Sequence, residues 1–324
     1  MSLRAFLPGL ALSAAIAVVA TAIGHALPVV GAPVAGIVIG VLLASVRRPG
    51  TALGPGISFS SRFVLQLSVV VLGSQLSLAE IARVGVESLP VMLGTLAACL
   101  VAAWFIGRRL GILGDLRTLI GVGTGICGAS AIAAVTPVLG AAGIDVAYAI
   151  STIFLFNVAA VLLFPLLGHL LGLSQHAFGL FAGTAVNDMS SVVATATTYG
   201  AAAANFAVVV KLVRTLMIVP VALALAGYRR ESRRVPVLRL VPWFLVGFVA
   251  VAALNSAGGI PAAAQTRLSD VSHFLITVAL SAIGLSTDVA AFRRAGAKPL
   301  LLGACLWVVV SLTSLGLQLA TGTI

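Results

Sequence analysis

The sequence has 324 residues, of which 60% are hydrophobic and only 8% are charged, and its mean hydropathy is +1.19. Soluble domains carry roughly 25% charged residues, so this composition excludes an ordinary soluble protein and predicts an integral membrane protein. The net charge of +11 does not predict nucleic-acid binding, because the basic residues lie between apolar runs, where they fix membrane topology.

Nine apolar runs are each about 20 residues long, the length at which a helix crosses the hydrocarbon core of a membrane. Two further apolar segments, 118–141 and 177–200, are interrupted by glycine-rich stretches. The sequence therefore predicts an all-α polytopic membrane protein with about 9 to 11 transmembrane helices. We expect the two interrupted or re-entrant segments to belong to an inverted-repeat transporter architecture, and residues 1–324 to form a single transmembrane transporter domain. The nine uninterrupted runs cover residues 7–27, 29–46, 60–79, 88–107, 144–168, 203–227, 240–257, 268–286 and 298–320.

The basic residues are distributed unevenly between the loops that join these segments. With a cytoplasmic N-terminus, fifteen arginines and lysines lie on the cytoplasmic side, and only Arg83 and Arg267 lie outside. Positively charged loops resist translocation, so this asymmetry predicts that the N-terminus is cytoplasmic. The basic run from Arg229 to Arg234 is interpreted in the same way, as a cytoplasmic anchor at the lipid bilayer rather than a nucleic-acid site.

The two interruptions are Gly123-Thr-Gly-Ile-Cys-Gly-Ala-Ser130 and Gly183-Thr-Ala-Val-Asn-Asp-Met-Ser190. An unpaired backbone amide or carbonyl in hydrocarbon costs several kcal/mol, so a broken helix at membrane depth is tolerated only against protein or a watery cavity. Such breaks usually mark a transport site. We therefore expect the functional site at these two stretches.

Two internal repeats are indicated by the sequence. Residues 63–85 align with 274–296 at a shift of 211 positions, and residues 117–149 align with 177–209 at a shift of 60. The charge-derived topology makes the first pair inverted. The second pair is inverted only if each interrupted segment enters and returns on one side as a re-entrant hairpin, whereas two broken helices that cross fully would run parallel. We favour opposed hairpins, because inverted repeats around a central site are the commoner transporter plan.

Three ionisable residues lie in the second interruption or on the apolar helix that follows it. Asp188 is the only one of the eight acids that lies clearly inside an apolar segment. Lys211 and Arg214 follow on the next helix, where their spacing places them on one face. A buried cation near the middle of a membrane costs on the order of 3 kcal/mol or more unless it is paired or hydrated.

These charges have three interpretations. In the first, Asp188 and Arg214 form a structural ion pair. In the second, two cations against one acid leave a net positive centre, which attracts an anion together with the helix N-termini at the glycine breaks. In the third, Asp188 is the carboxylate that couples transport to protons or sodium, with Asn187 and the neighbouring hydroxyl groups as further oxygen ligands.

Four stretches resemble the sulfate exporter family of bacterial inner-membrane proteins, and the resemblance covers nearly the whole chain. It implies a secondary transporter with about ten helices in the bacterial inner (plasma) membrane, and a sulfur oxyanion as its substrate. The stretches are Phe63-Val-Leu-Gln-Leu through Gly73, Gly121-Val-Gly-Thr-Gly-Ile-Cys-Gly-Ala-Ser-Ala-Ile-Ala-Ala134, Gly183-Thr-Ala-Val-Asn-Asp-Met-Ser-Ser191 and Val210-Lys-Leu-Val-Arg-Thr-Leu-Met217.

The residues and the resemblance together predict a secondary active transporter of a small anion, such as sulfate, a related sulfur oxyanion or a sulfonate, that works by alternating access. An anion channel and an ion-coupled transporter of another small organic solute are the alternatives. No enzyme, cofactor, metal site or nucleic-acid partner is expected, and a homodimer is considered. The predicted substrate-binding residues are Thr124, Gly125, Cys127, Gly128, Ser130, Thr184, Asn187, Asp188, Ser190, Ser191, Lys211 and Arg214, and the predicted ion-coupling residues are Asp188 and Asn187.

Overall fold

The structure is a computed structural model that describes residues 5–26, 31–47, 49–112, 114–228, 242–286 and 296–324. Regular secondary structure in these ranges is entirely helical. The helices are α1 (Leu7–Ala26), α2 (Gly31–Val46), α3 (Gly54–Phe59), α4 (Leu65–Leu72), α5 (Leu78–Arg109), α6 (Gly114–Gly125), α7 (Ala129–Leu139), α8 (Gly143–Leu170), α9 (Gln175–Ala185), α10 (Met189–Tyr199), α11 (Ala201–Leu216), α12 (Ile218–Tyr228), α13 (Trp243–Ser256), α14 (Ala262–Leu285) and α15 (Ala297–Thr321).

The length and apolarity of these helices confirm the predicted polytopic membrane fold. Seven segments in the described ranges are long and apolar enough to cross a membrane, and three shorter apolar helices accompany them. A π-helical turn at Ser60–Val64 joins α3 to α4, so that Gly54–Gln75 is one candidate span. In the same way α11 and α12 follow each other almost without a break and form the candidate span Ala201–Gly227.

The chain divides into two compact units, and the first comprises the described parts of 1–82, 193–200 and 243–289. Its helices pack through small residues. A methyl group added to Gly40 of α2 would lie 2.9 Å from the Cα atom of Gly284 of α14, and one added to Gly9 of α1 would lie 2.6 Å from the amide nitrogen of Ile57 of α3. Small residues at such crossings let two helix backbones approach closely where lipid provides no hydrophobic driving force.

The second unit comprises the described parts of 83–192, 201–242 and 290–324, and it contains both glycine-rich interruptions. Helix α6 packs back along the end of α5, because a methyl group on Gly121 would lie 2.7 Å from Ala103 Cβ and one on Gly107 would lie 2.6 Å from the Arg117 side chain. Helix α15 packs against α6, α8 and α9. The break between α6 and α7 covers residues 126–128, and the break between α9 and α10 covers residues 186–188.

Helices α6 and α7 form a hairpin, hairpin 1 (residues 114–139). A methyl group on Gly123 would lie 3.0 Å from Ile132 Cγ1. Nine residues of straight helix would separate these positions by about 13.5 Å. The chain therefore reverses at residues 126–128, where Gly128 has the left-handed φ of 69°.

Helices α9 and α10 form the second hairpin, hairpin 2 (residues 175–199), and the packing of α9 on α11 gives its direction. At the start of both helices, Gln175 Oε1 accepts hydrogen bonds from the backbone N–H groups of Ala202 and Ala203. Further along, a methyl group on Gly183 would lie 2.7 Å from Val210 Cβ. Helices α9 and α11 thus run in the same direction, so α10 must lead back from the end of α9 to the start of α11.

The two hairpins enter from opposite ends of α8. Hairpin 1 precedes α8 and hairpin 2 follows it, and the 28 residues of α8 span about 42 Å at about 1.5 Å per residue. Each hairpin leg contains 11 or 12 residues, which reach about 17 Å. The two turns therefore meet near the middle of α8, as expected for opposed re-entrant segments.

Three helices begin at least six residues earlier than the apolar runs predict, and one of them is α14, which begins at Ala262 rather than at 268. The expected run 60–79 is part of a helix that begins at Gly54, and the expected run 88–107 is part of α5, which begins at Leu78. In α5, Glu80 Oε2 accepts a hydrogen bond from Ser77 N at 2.8 Å, and Ser77 Oγ accepts one from Glu80 N at 3.2 Å. This capping box starts a polar helical turn, which a search for apolar residues does not detect.

Several predicted features lie outside the described residues. The basic run Arg229–Arg234 belongs to this part of the chain, and so does the end of the 274–296 repeat segment up to residue 295. The repeat relation between 63–85 and 274–296 and the single-domain assignment stay predictions. The repeat between 117–149 and 177–209 has a shift of 60 positions. With this shift, the first and last residues of α7 coincide with those of α10, and the end of α6 coincides with the end of α9.

Candidate functional site

Lys211 and Arg214 lie on α11 where the turns of the two hairpins meet. Both side chains are fully buried, with 0% exposure. Lys211 Nζ donates one hydrogen bond to the carbonyl oxygen of Ile126 at 2.8 Å and another to that of Val186 at 2.7 Å. A single ammonium group therefore holds the turn of hairpin 1 against the turn of hairpin 2.

Arg214 makes a second bridge between the same two turns. Its Nε donates to Gly125 O at 2.7 Å and its Nη2 to Thr124 O at 3.5 Å, both in hairpin 1. Its Nη1 donates to Thr184 O in hairpin 2. The planar guanidinium fork can serve several acceptors at once, which an ammonium in the same place cannot do with fixed geometry.

These acceptors are the last carbonyls of α6 and α9 and the first carbonyls of the two turns. Helix C-termini leave up to four carbonyls without an intrahelical partner, and they carry the negative end of the helix dipole. Lys211 and Arg214 donate hydrogen bonds to these carbonyls, and their positive charge complements the negative ends of both helix dipoles. Within the described ranges, neither cation forms an ion pair with a carboxylate.

Asp188 forms a helix cap, and in the described residues it makes no structural ion pair with Arg214. Its Oδ1 accepts hydrogen bonds from Ser190 N at 2.8 Å, from Ser191 N at 3.2 Å and from the Ser190 hydroxyl. Its Oδ2 accepts one from Ser191 Oγ at 2.9 Å. A carboxylate that binds the free N–H groups of the first turn caps α10 and complements the helix dipole.

Asn157 of α8 fixes the turn of hairpin 2 from the other side. It is buried, and its Oδ1 accepts hydrogen bonds from the backbone N–H groups of Asn187 at 3.1 Å and Asp188 at 3.4 Å. The neighbouring Asn187 side chain is 2% exposed, and its Oδ1 has no hydrogen-bond partner in the described part of the chain. This turn therefore presents an acceptor that the described protein groups leave unsatisfied.

The turn of hairpin 1 brings a different group to the junction, the N-terminus of α7. Gly128 precedes α7 without any side-chain cap. A methyl group on Gly128 would lie 3.0 Å from Asp188 Cβ, so the two turns are in contact here. Ser130, in the first turn of α7, is exposed, whereas Cys127 is buried.

The structure brings the predicted residues together in different roles. Thr124, Gly125 and Thr184 reach the cations through their backbone carbonyls, and the Thr184 hydroxyl lies 2.7 Å from that of Ser314 in α15. The predicted site did not include Ser314 or Asn157. Asn157 is a polar residue inside an apolar run, and this was the signal that could have placed it in the site.

Comparison with known proteins places the chain among membrane proteins. It is 42% identical to a UPF0324 membrane protein of Streptococcus pyogenes serotype M3, over 98% of this chain and 97% of that protein. It is 40% identical to one of Streptococcus agalactiae serotype V, over 98% of each chain, and 40% identical to one of Fusobacterium nucleatum subsp. nucleatum, over 97% of this chain and 98% of that one. These names assign no substrate, and no solved structure matches the chain. Residues 8–303 match the family described as conserved hypothetical protein 698, so this membrane protein belongs to that family.

Proposed function

We propose that this protein is a secondary active transporter of a small anion, which binds where the turns of the two hairpins meet. One observation carries the proposal. Lys211 and Arg214 are fully buried at this junction, and their hydrogen-bond partners among the described residues are neutral carbonyl groups. With both groups protonated, two positive charges lie near one carboxylate, that of Asp188, and the centre carries a net positive charge.

The N-terminus of α7 is the surface through which an anion would meet this charge. Helix N-termini bind anions through their free N–H groups and the positive end of the dipole. Helix α7 has no side-chain cap, and Ser130 in its first turn is exposed. The two cations hydrogen-bond carbonyl groups of the chain that leads into α7. Since their described hydrogen bonds go to carbonyl groups, we propose that they attract the anion through their electric field rather than by direct contact in this state.

Opposed re-entrant hairpins favour a transporter over the alternative functions. Broken helices that meet near the middle of the membrane are typical of secondary transporters with alternating access. A channel needs a continuous polar path, and 60% of this chain is hydrophobic. The sequence has no Walker motif or catalytic motif, so we propose transport driven by an ion or substrate gradient, without an enzymatic step or cofactor.

Sulfate, a related sulfur oxyanion or a sulfonate is the substrate we propose, following the resemblance to the sulfate exporter family. A double negative charge would more than offset the net positive charge of the junction. We further propose that the protein lies in the bacterial inner membrane with a cytoplasmic N-terminus, since the basic residues concentrate on that side. A homodimer is compatible with this proposal, but nothing in it requires one.

Uptake of radiolabelled sulfate, thiosulfate and small sulfonates into proteoliposomes tests the function, and Ser130→Glu tests the site. A glutamate in the first turn of α7 favours the helix while its carboxylate occupies the place of the anion. We expect uptake to fall at least tenfold with the thermal unfolding midpoint unchanged or raised.

The matched control is Ala297→Glu, which adds the same charge at the exposed start of α15. It should leave uptake unchanged. Full transport by Ser130→Glu would exclude the N-terminus of α7 as the anion site, and the absence of uptake for every anion in wild-type protein would overturn the proposed function. Arg214 is less suitable for this test, because its loss would leave buried carbonyls unpaired at about 1–3 kcal/mol each.

A further inference from the structure

The turn of hairpin 2 contains two side-chain oxygen atoms that can accept more than the described donors supply. Asn187 is 2% exposed and its Oδ1 lacks a hydrogen-bond partner in the described ranges. Asp188 follows directly, and its Oδ2 accepts only one described hydrogen bond, from Ser191 Oγ. An amide oxygen and a carboxylate oxygen thus belong to neighbouring residues of one turn, each with capacity to accept.

The chemistry of these atoms selects the class of ligand. A proton taken up by Asp188 would neutralise the carboxylate and leave the Asn187 oxygen unsatisfied, because an amide oxygen does not protonate near neutral pH. A hard cation binds both oxygens at once, since carboxylate and carbonyl groups are its preferred ligands. The single carboxylate and the two nearby cations disfavour a divalent ion, so a monovalent ion is the better match.

We propose that the turn of hairpin 2 binds a sodium ion through Asn187 and Asp188, and that sodium and the transported anion bind cooperatively. The second part rests on the proposed function. Lys211 and Arg214 oppose sodium by their charge, and an anion at the start of α7 offsets that charge. Contact between the two turns at Gly128 and Asp188 places the two ligands in adjacent positions. Coupling between two binding sites is reciprocal, so sodium must raise anion affinity by the same factor.

Thermal unfolding of the purified protein tests the ion site without any substrate. We expect the unfolding midpoint to rise with sodium chloride and to stay constant with choline chloride or potassium chloride at equal ionic strength. Asn187→Leu should keep the fold, because a side chain of similar shape without polar atoms removes the unsatisfied oxygen. It should nevertheless lose the response to sodium, as should Asp188→Asn.

Asp145→Asn is the matched control, because Asp145 lies in the first turn of α8, far along that helix from Asn157, which contacts the turn of hairpin 2. The unfolding midpoint of this variant should respond to sodium like that of the wild type. Adding sulfate should lower the half-saturating sodium concentration at least fivefold. Equal midpoints in sodium, potassium and choline would overturn the sodium site, and a half-saturating concentration that sulfate does not change would overturn the cooperativity. Anion uptake that is the same with or without sodium would overturn the coupling but leave the proposed function intact.

Discussion

At the scale of single residues, Gly128 is the position on which the contact between the two turns depends. Its φ of 69° and ψ of −132° suit glycine, and a side chain there would meet Asp188 Cβ at 3.0 Å. Alanine would therefore have to adopt a backbone conformation that is almost restricted to glycine, which costs about 1–3 kcal/mol, and would also push the cap of α10 away from the start of α7.

We predict that Gly128→Ala lowers both the thermal unfolding midpoint and the rate of anion uptake, the latter at least tenfold. The measurements are a melting curve and uptake into proteoliposomes at matched protein content. Gly143→Ala serves as the control, because Gly143 begins α8 and a methyl group there would meet nothing within 4 Å. Wild-type uptake by Gly128→Ala would mean that the contact between the turns has no role in transport.

The sequence predicts the position of the charged residues better than their partners. A spacing of three residues places Lys211 and Arg214 on one face of a helix, and they do act on the same pair of turns. Their partners are backbone carbonyls, which every residue carries and no sequence pattern marks. Serines stand two and three positions after Asp188, a pattern that also suits a helix cap, and the structure gives Asp188 that role.

At the scale of elements, the sequence locates the breaks but not the direction of the chain after them. Glycine-rich stretches indicate where α6 and α9 end. Each interrupted segment contains about 25 residues, however, and that length fits one crossing of about 37 Å as well as two legs of half that depth. The proximity of Gly123 to Ile132 shows that the segment folds back as a hairpin rather than crossing as one helix. These two positions are too far apart in sequence for a local pattern to predict their contact.

Cysteine labelling distinguishes the two topologies in a membrane. In a variant without its three native cysteines, we predict that Ala142→Cys reacts with a membrane-impermeant maleimide from the same side as Arg109→Cys. Leu171→Cys and Ala201→Cys should react from the other side. This follows because each hairpin returns to the side on which it enters, and all four positions are exposed.

Each single-cysteine variant is its own control, with labelling compared in sealed and in permeabilised vesicles. If the interrupted segments crossed fully, Ala142→Cys would instead react from the side opposite Arg109→Cys. Transport by the cysteine-free protein shows that it keeps its fold. Labelling of Ala142→Cys from the opposite side would therefore contradict the opposed hairpins, and with them the meeting of the two turns.

At the scale of the whole molecule, the number of crossings determines where the two ends of the chain lie. If the hairpins return, the described helices cross nine times, as α1, α2, α3–α4, α5, α8, α11–α12, α13, α14 and α15. An odd number places the ends on opposite sides, and the distribution of fifteen basic residues against two predicts an N-terminus in the cytoplasm.

We predict that alkaline phosphatase fused after Ile324 is active in a bacterial inner membrane and that green fluorescent protein fused there is dark, because nine crossings from a cytoplasmic N-terminus would place position 324 in the periplasm. The same two reporters fused after Gly227, near the end of α12, should give the reverse result, since the basic sequence that follows predicts a cytoplasmic location for that end. Equal expression of the fusions, checked by immunoblot, is the control. Periplasmic reporter activity after both residues would contradict the crossing count. Cytoplasmic activity after Ile324 together with periplasmic activity after Gly227 would reverse the orientation. In that case the α7 side of the anion site would face the periplasm.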